Sequence, residues 1–260
     1  MKKKIILYGV MVLFLSLFLI FLILDISIYK VSYITSKLDE AGYYKTLYEK
    51  IYDRFDTKLK DLNIDADVTK IVDTDIIKND IKNYIEGYYN RESYILHTVE
   101  IETKANKIVN DFLINNNIEI EDKELIPNEI KSLVSFYEKE IKAQSILDKM
   151  PSNHILYKDL CVPIMIISLI VIFIIYLYMI FKLQIKPLGK VFMMASSFIL
   201  LVQFLINKTI NIKNLYTTAL VEKAVNSIRD DILYKFDIVC ILLFISGIIF
   251  FIFEKMFERK

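Results

Sequence analysis

Residues 160–181 read LCVPIMIISLIVIFIIYLYMIF, 22 positions without a charged side chain. A helix rises 1.5 Å per residue, so about 20 apolar residues cross a hydrocarbon core of about 30 Å. This run therefore predicts a transmembrane helix. Nine residues follow, KLQIKPLGK (182–190), and then a second apolar run, VFMMASSFILLVQFLI (191–206). That run is short for a span. It recruits Leu188 and Gly189, with Lys190 snorkelling to the headgroups. Farther out, residues 5–24 and 238–253 are also charge-free.

The chain of 260 residues is 55% hydrophobic and 25% charged. Two populations of residues are thus segregated along it, and one soluble fold has no use for four such runs. The resulting organisation is an N-terminal piece (1–4) and spans at 5–28, 160–181, 191–206 and 237–253. Polar segments occupy 29–159 and 207–236, with a loop at 182–190 and a tail at 254–260. The first span resembles a secretory signal, with Lys2, Lys3 and Lys4 before it. Its apolar run is longer than a usual signal core, and Asp25, Ile26, Ser27 and Ile28 supply no small-residue cleavage site. An uncleaved anchor is the favoured reading.

Charge sets the expected orientation. Three Lys precede the first span, three Lys and no acid fill 182–190, and the tail adds Lys255, Arg259 and Lys260. The positive-inside rule places these in the cytoplasm, with both termini inside a cell (plasma) membrane. Segment 29–159 then lies outside, with 19 Lys/Arg against 25 Asp/Glu, a net of −6. No basic patch with interleaved aromatics exists, so nucleic-acid binding lacks support. Lys outnumbers Arg 29 to 4, the mark of an AT-rich genome rather than of a function.

The polar segments carry helical periodicity. Ile34, Leu38, Tyr48, Ile51, Phe55, Leu59 and Leu62 form a stripe, broken at Gly42 into an extension of the first span and a helix over 44–61. Thr74 is placed as the cap of a helix carrying Ile77, Ile81, Tyr84, Ile85 and Tyr88. A third helix covers 101–114 with Ala105, Ile108, Val109 and Phe112. A fourth starts near Pro127 with Ile130, Val134, Tyr137 and Ile141 and ends before Pro151. In the second polar segment Ile212, Leu215, Ala219, Val225, Ile228 and Ile232 predict a further helix. The expected fold class is all-α: four transmembrane helices, with a helical-bundle extracytoplasmic domain between helices 1 and 2.

Catalytic and cofactor motifs are absent. The five Gly (9, 42, 87, 189, 247) build no phosphate cradle. His97 and His154 stand 57 positions apart without a metal-binding or nucleophile pattern, and read as helix-flank residues. The acid runs Asp61, Asp65, Asp67 and Glu119, Glu121, Asp122, Glu124 lack the turn Gly and terminal Glu of a calcium loop. They read as solvated faces. Cys161 and Cys240 fall near the outer ends of their spans, where a disulfide is chemically allowed, although buried free thiols are the simpler reading. Tyr43, Tyr44, Tyr48, Tyr52, Tyr88, Tyr89 and Tyr94 suit half-buried helix positions or an interface. No ionisable residue lies mid-span, which disfavours ion-coupled transport by this chain alone. Some 20 expected cytoplasmic residues cannot form an ATPase or kinase domain. The expected partners are the lipid bilayer and a protein in or outside the membrane, with no cofactor and no enzyme activity.

The stretches DTDIIKNDIKNYIEGYYN (73–90) and EIKSLVSFYEKEIK (129–142), with the whole architecture, resemble uncharacterised multi-spanning membrane proteins of clostridia-type Gram-positive bacteria. The order of spans and outer segments is similar, in topology alone, to the membrane subunits of cell-division and MacB-type ABC transporters. That resemblance implies a cytoplasmic ATPase partner for the KLQIKPLGK loop.

Overall fold

A computed structural model describes residues 2–118, 124–143, 154–183, 187–209 and 219–258. All regular structure among them is helical. Nine α-helices run in chain order: α1 (Lys2–Ile26), α2 (Val31–Glu40), α3 (Tyr43–Asp61), α4 (Thr74–Asn90), α5 (Thr98–Asn115), α6 (Leu125–Ala143), α7 (His154–Leu183), α8 (Leu188–Thr209) and α9 (Ala219–Glu258). A 3₁₀ turn over Val68–Lys70 joins α3 to α4. Four helices are long and apolar enough to cross a membrane, over Lys3–Ile26, Leu156–Lys182, Leu188–Leu205 and Val221–Met256.

The chain divides into two compact units. One holds 1–33, 151–216 and 226–260; the other holds 34–150 and 217–225. In the first unit α1 packs against α7 and α8. Met11, Val12, Met179, Val191 and Ala195 form the buried cluster between them. Helices α8 and α9 run antiparallel along a seam of small residues. A Cβ on Gly189 would stand 2.6 Å from the Phe251 nitrogen, and one on Gly247 would stand 3.0 Å from the Gly189 carbonyl oxygen. Farther along, Ser196 Oγ donates to the Cys240 carbonyl at 2.9 Å, and Gln203 Nε2 to Asp237 Oδ1 at 2.9 Å. Close backbone approach of this kind is how helices associate where no water drives them together.

The ends of these helices fall into two groups. Lys3 Nζ lies 5.2 Å from the centre of the Tyr178 ring, and Gly189 N–H donates to Glu254 Oε1 at 3.4 Å. The start of α1, the end of α7, the start of α8 and the end of α9 therefore share one end of the unit. At the other end Lys235 Nζ donates to Ser27 Oγ at 3.1 Å and pairs with Asp231 at 2.9 Å. It also sits 3.8 Å from the Tyr33 ring centre, whose hydroxyl donates to Asp231 Oδ2 at 2.6 Å.

That cluster accompanies a departure from the expected extension of the first span. Helix α1 stops at Ile26, a turn over 27–30 follows, and α2 is a separate helix. Ser27, already inside this turn, accepts the Lys235 hydrogen bond through its hydroxyl. Gly42 separates α2 from α3 as expected, at φ +71°, the left-handed conformation that glycine adopts without a Cβ penalty. Helix α9 departs too. The expected outer helix and the last span are one element from Ala219, 40 residues and about 60 Å long. Ile212 and Leu215 lie outside the described residues.

The second unit has its own core. Leu47, Ile51, Phe55 and Leu59 form an i+4 row on α3, all buried. They meet Ile77, Ile81 and Ile85 of α4, and Ile130, Leu133 and Tyr137 of α6, while Ile101, Ala105 and Val109 of α5 pack on α6. The expected stripe holds at Ile34, Leu38, Ile51, Phe55 and Leu59, all buried, and misses at two positions: Leu47 rather than Tyr48 is buried, and Leu62 is half-exposed. On α4 the cap is Asp73, not Thr74, its carboxylate accepting from Ile76 N–H at 2.8 Å. A carboxylate suits the positive end of a helix, and Thr74 then takes the first helical position. Helix α6 begins at Leu125, so Pro127 sits in the first turn, where its missing N–H costs nothing.

Candidate functional site

A concentration of polar chemistry is buried in the second unit. Asp80 projects from the apolar stripe of α4 between Ile77 and Ile81, and is fully buried. His97 N–H, at the start of α5, reaches both carboxylate oxygens at 3.1 Å. His97 Nδ1 lies 2.5 Å from Oδ1, and Tyr137 of α6 donates its hydroxyl to Oδ2 at 2.6 Å. Three elements thus converge on one carboxylate. In the neutral tautomer that donates from Nδ1 to the carboxylate, Nε2 is the ring's acceptor.

Burial first, then the facing carboxylate and the hydrogen bond to it, push the Tyr137 phenol far above its ordinary pKa. Removing a carboxylate from water costs several kcal/mol, and this set of donors is what offsets it. Asp80 and Tyr137 have no exposed surface; the His97 side chain alone reaches solvent, at 35%. A buried acid and a buried phenol behind one half-covered imidazole hold three helices together. Neither Asp80 nor Tyr137 is open to a substrate.

The clamp also fixes the loop between α4 and α5. Arg91 takes a left-handed conformation at φ +58°, and Glu92 N–H returns to the Gly87 carbonyl at 2.9 Å. Tyr94 folds back on Gly87, where an added Cβ would stand 2.9 Å from the Tyr94 Cβ, and its ring meets Tyr84 edge-on at 4.7 Å. Leu96 is buried and His97 is held by Asp80. Between these fixed points Ile95 is 83% exposed, and Val99, the second residue of α5, is 75% exposed. The loop and the first turn of α5 therefore present two branched aliphatics from a hydrogen-bonded base.

The other residues marked in the sequence are placed apart from this site. The His154 side chain lies outside the described residues, as do Glu119, Glu121 and Asp122. Asp61, Asp65 and Asp67 are exposed, and Asp67 caps the 3₁₀ turn by accepting from Thr69 N–H at 3.2 Å. Glu124 is exposed. Among the described residues no three metal-ligating side chains converge. The disulfide allowed between Cys161 and Cys240 is not formed: both are buried free thiols. Cys161 Sγ donates to the Tyr157 carbonyl one turn back on α7, whereas Cys240 Sγ faces the Ser196 carbonyl on α8. Tyr43 and Tyr44 are buried rather than available to a partner, and burial raises both phenols well above the usual range.

Asp80 was not singled out in the sequence, yet a signal was there. Ile77, Asp80, Ile81 and Tyr84 share one helical face, and an acid on an apolar stripe demands buried donors. Comparison with known protein families, curated sequences and solved structures gives no match.

Proposed function

We propose that the chain is a non-enzymatic protein of the cell membrane, crossing it four times with both termini cytoplasmic. Its helical domain outside the cytoplasm binds a ligand, an envelope component or a protein partner, and serves sensing, scaffolding or regulation. The observation carrying the binding role is the hydrogen-bonded α4–α5 loop with the first turn of α5, which leave Ile95 and Val99 exposed although the core beneath is buried. Exposed aliphatics on a preorganised base are what binding anchors look like, because little entropy is lost on docking. The orientation draws on the lysines gathered at one end of the membrane unit.

The test is in-cell crosslinking with mass spectrometry of the captured proteins, on the wild-type chain and on Ile95→Asp/Val99→Asp. The proposal expects an envelope partner that the double variant loses. Capture that is identical for both chains would remove this loop from the account.

A second reading is a membrane subunit of an ABC-type or mechanotransmitting complex. Its supporting observation is α9, whose length of about 60 Å exceeds the roughly 30 Å hydrocarbon core. A cytoplasmic ATPase among the captured proteins favours this reading; envelope proteins alone favour the first.

A further inference from the structure

Many of the lysines described elsewhere stand in ion pairs, Lys107, Lys131 and Lys139 on the helical domain being among those that do not. Lys50 pairs with Glu140, Lys58 with Glu129, Lys78 with Asp39 and Lys104 with Glu100. The end of the first unit where α1 begins and α9 finishes is different. Lys3, Lys4, Lys182, Lys190 and Lys255 are all exposed there. None of them has an ion-pair partner among the described residues. The acid described beside them, Glu254, accepts from Gly189 N–H at the start of α8.

Next to this charge, Phe251, Ile252, Lys255 and Met256 line an open depression of about 220 Å³ on the last turns of α9. Three of the four are apolar, and Lys255 Nζ lies 5.4 Å from the Phe251 ring centre. The volume equals that of about seven waters in the liquid. It is below the roughly 300–1,000 Å³ of pockets that enclose a soluble small molecule. A ligand already held by the bilayer needs no enclosure, only a seat for part of a chain and a counter-charge for its head. An acidic protein surface would match the lysines and leave the apolar wall unexplained.

We propose that this end of the membrane unit is a binding site for an anionic phospholipid. The acyl chain lies along Phe251, Ile252 and Met256, and Lys255 takes the phosphodiester. The other four lysines supply the surrounding positive field that concentrates anionic headgroups. The inference rests on the membrane reading of the four apolar helices and is independent of what the outer domain binds.

The experiment is native mass spectrometry of the full chain in detergent, titrated with phosphatidylglycerol or with phosphatidylcholine of the same acyl chains. Inorganic phosphate is added as a competitor. The expected result is preferential retention of phosphatidylglycerol, lowered about fivefold in Lys255→Gln, the change expected for loss of one interfacial cation. Lys255→Arg keeps the preference, and Lys107→Gln, on the exposed face of α5, leaves it unchanged. Phosphate competing as well as the lipid would overturn the acyl-chain part. Equal retention of the two lipids, or a Lys255→Gln chain of wild-type preference, would overturn the site. A chain that stays dispersed without detergent would overturn the membrane reading itself, before any lipid is added.

Discussion

In the first unit Ser16, Ser168 and Ser196 are buried while Phe173, Ile174 and Leu242 face outward; in the second, Ile51, Phe55 and Ile101 are buried and charged residues face outward. Each arrangement is correct for a different solvent. Against lipid, an outward Phe costs nothing and the scarce resource is close helix contact, so Gly189, Gly247 and Ser196 take the seam. Against water, burying apolar area is the driving force, so the i+4 rows of α3, α4 and α6 take the core. Polar burial follows the same division. The Ser16 and Ser168 hydroxyls are buried without a hydrogen-bond partner, whereas Asp80 in the second unit gathers imidazole, phenol and amide.

Replacing Asp80 probes this division most strongly. Asp80→Ala leaves a phenol, an imidazole and an amide without their acceptor, and is expected to cost about 3–5 kcal/mol, the usual loss when a buried polar pairing is broken. Hydrogen exchange on the full chain should show faster opening of α4, α5 and α6 amides, with α1 and α7 unchanged. Unchanged protection in α4–α6 would mean the cluster holds nothing. Next in size is a matched pair of lysine substitutions at exposed isoleucines. Ile170→Lys on α7 should make insertion of that helix less favourable by about 3 kcal/mol in a membrane-insertion assay. Ile95→Lys, at a more exposed site in the second unit, should shift stability by less than about 0.5 kcal/mol. Similar penalties at the two sites would erase the distinction between the solvents.

A smaller contrast lies in the glycines. Gly189→Ala drives a methyl into the α9 backbone and should cost about 1–3 kcal/mol by overpacking. At Gly42 nothing lies within 4 Å of an added Cβ, but the left-handed φ remains. Gly42→Ala should therefore cost about 1 kcal/mol through backbone strain alone. Thermal unfolding of both variants in one detergent measures the difference; equal losses would deny the close α8–α9 seam.

Much of the fold was legible because solvent preference is written locally. The four apolar runs needed only counting, and Ile130, Val134, Tyr137 and Ile141 declared the inner face of α6 by spacing. The break at Ser27–Lys30 was not legible, since its partner Lys235 is 208 positions away. The merger of the outer segment with the last span was equally hidden, because charges at Asp230, Asp231 and Lys235 interrupt hydropathy without interrupting a helix. For the site, His97 was visible only as a lone histidine. Its meaning depends on Asp80 and Tyr137, 17 and 57 residues from their partners, and pairing over such distances is a property of packing.

The proposed orientation puts the lysine-rich end of the first unit in the cytoplasm and the acidic segment 29–159 outside. It is tested by thiol labelling in intact cells, in a chain carrying Cys161→Ser and Cys240→Ser. Asn116→Cys, exposed after α5, should react with an impermeant reagent in intact cells. Lys182→Cys, at the end of α7, should react only after the membrane is opened. Labelling of Lys182→Cys and protection of Asn116→Cys in intact cells would contradict the account.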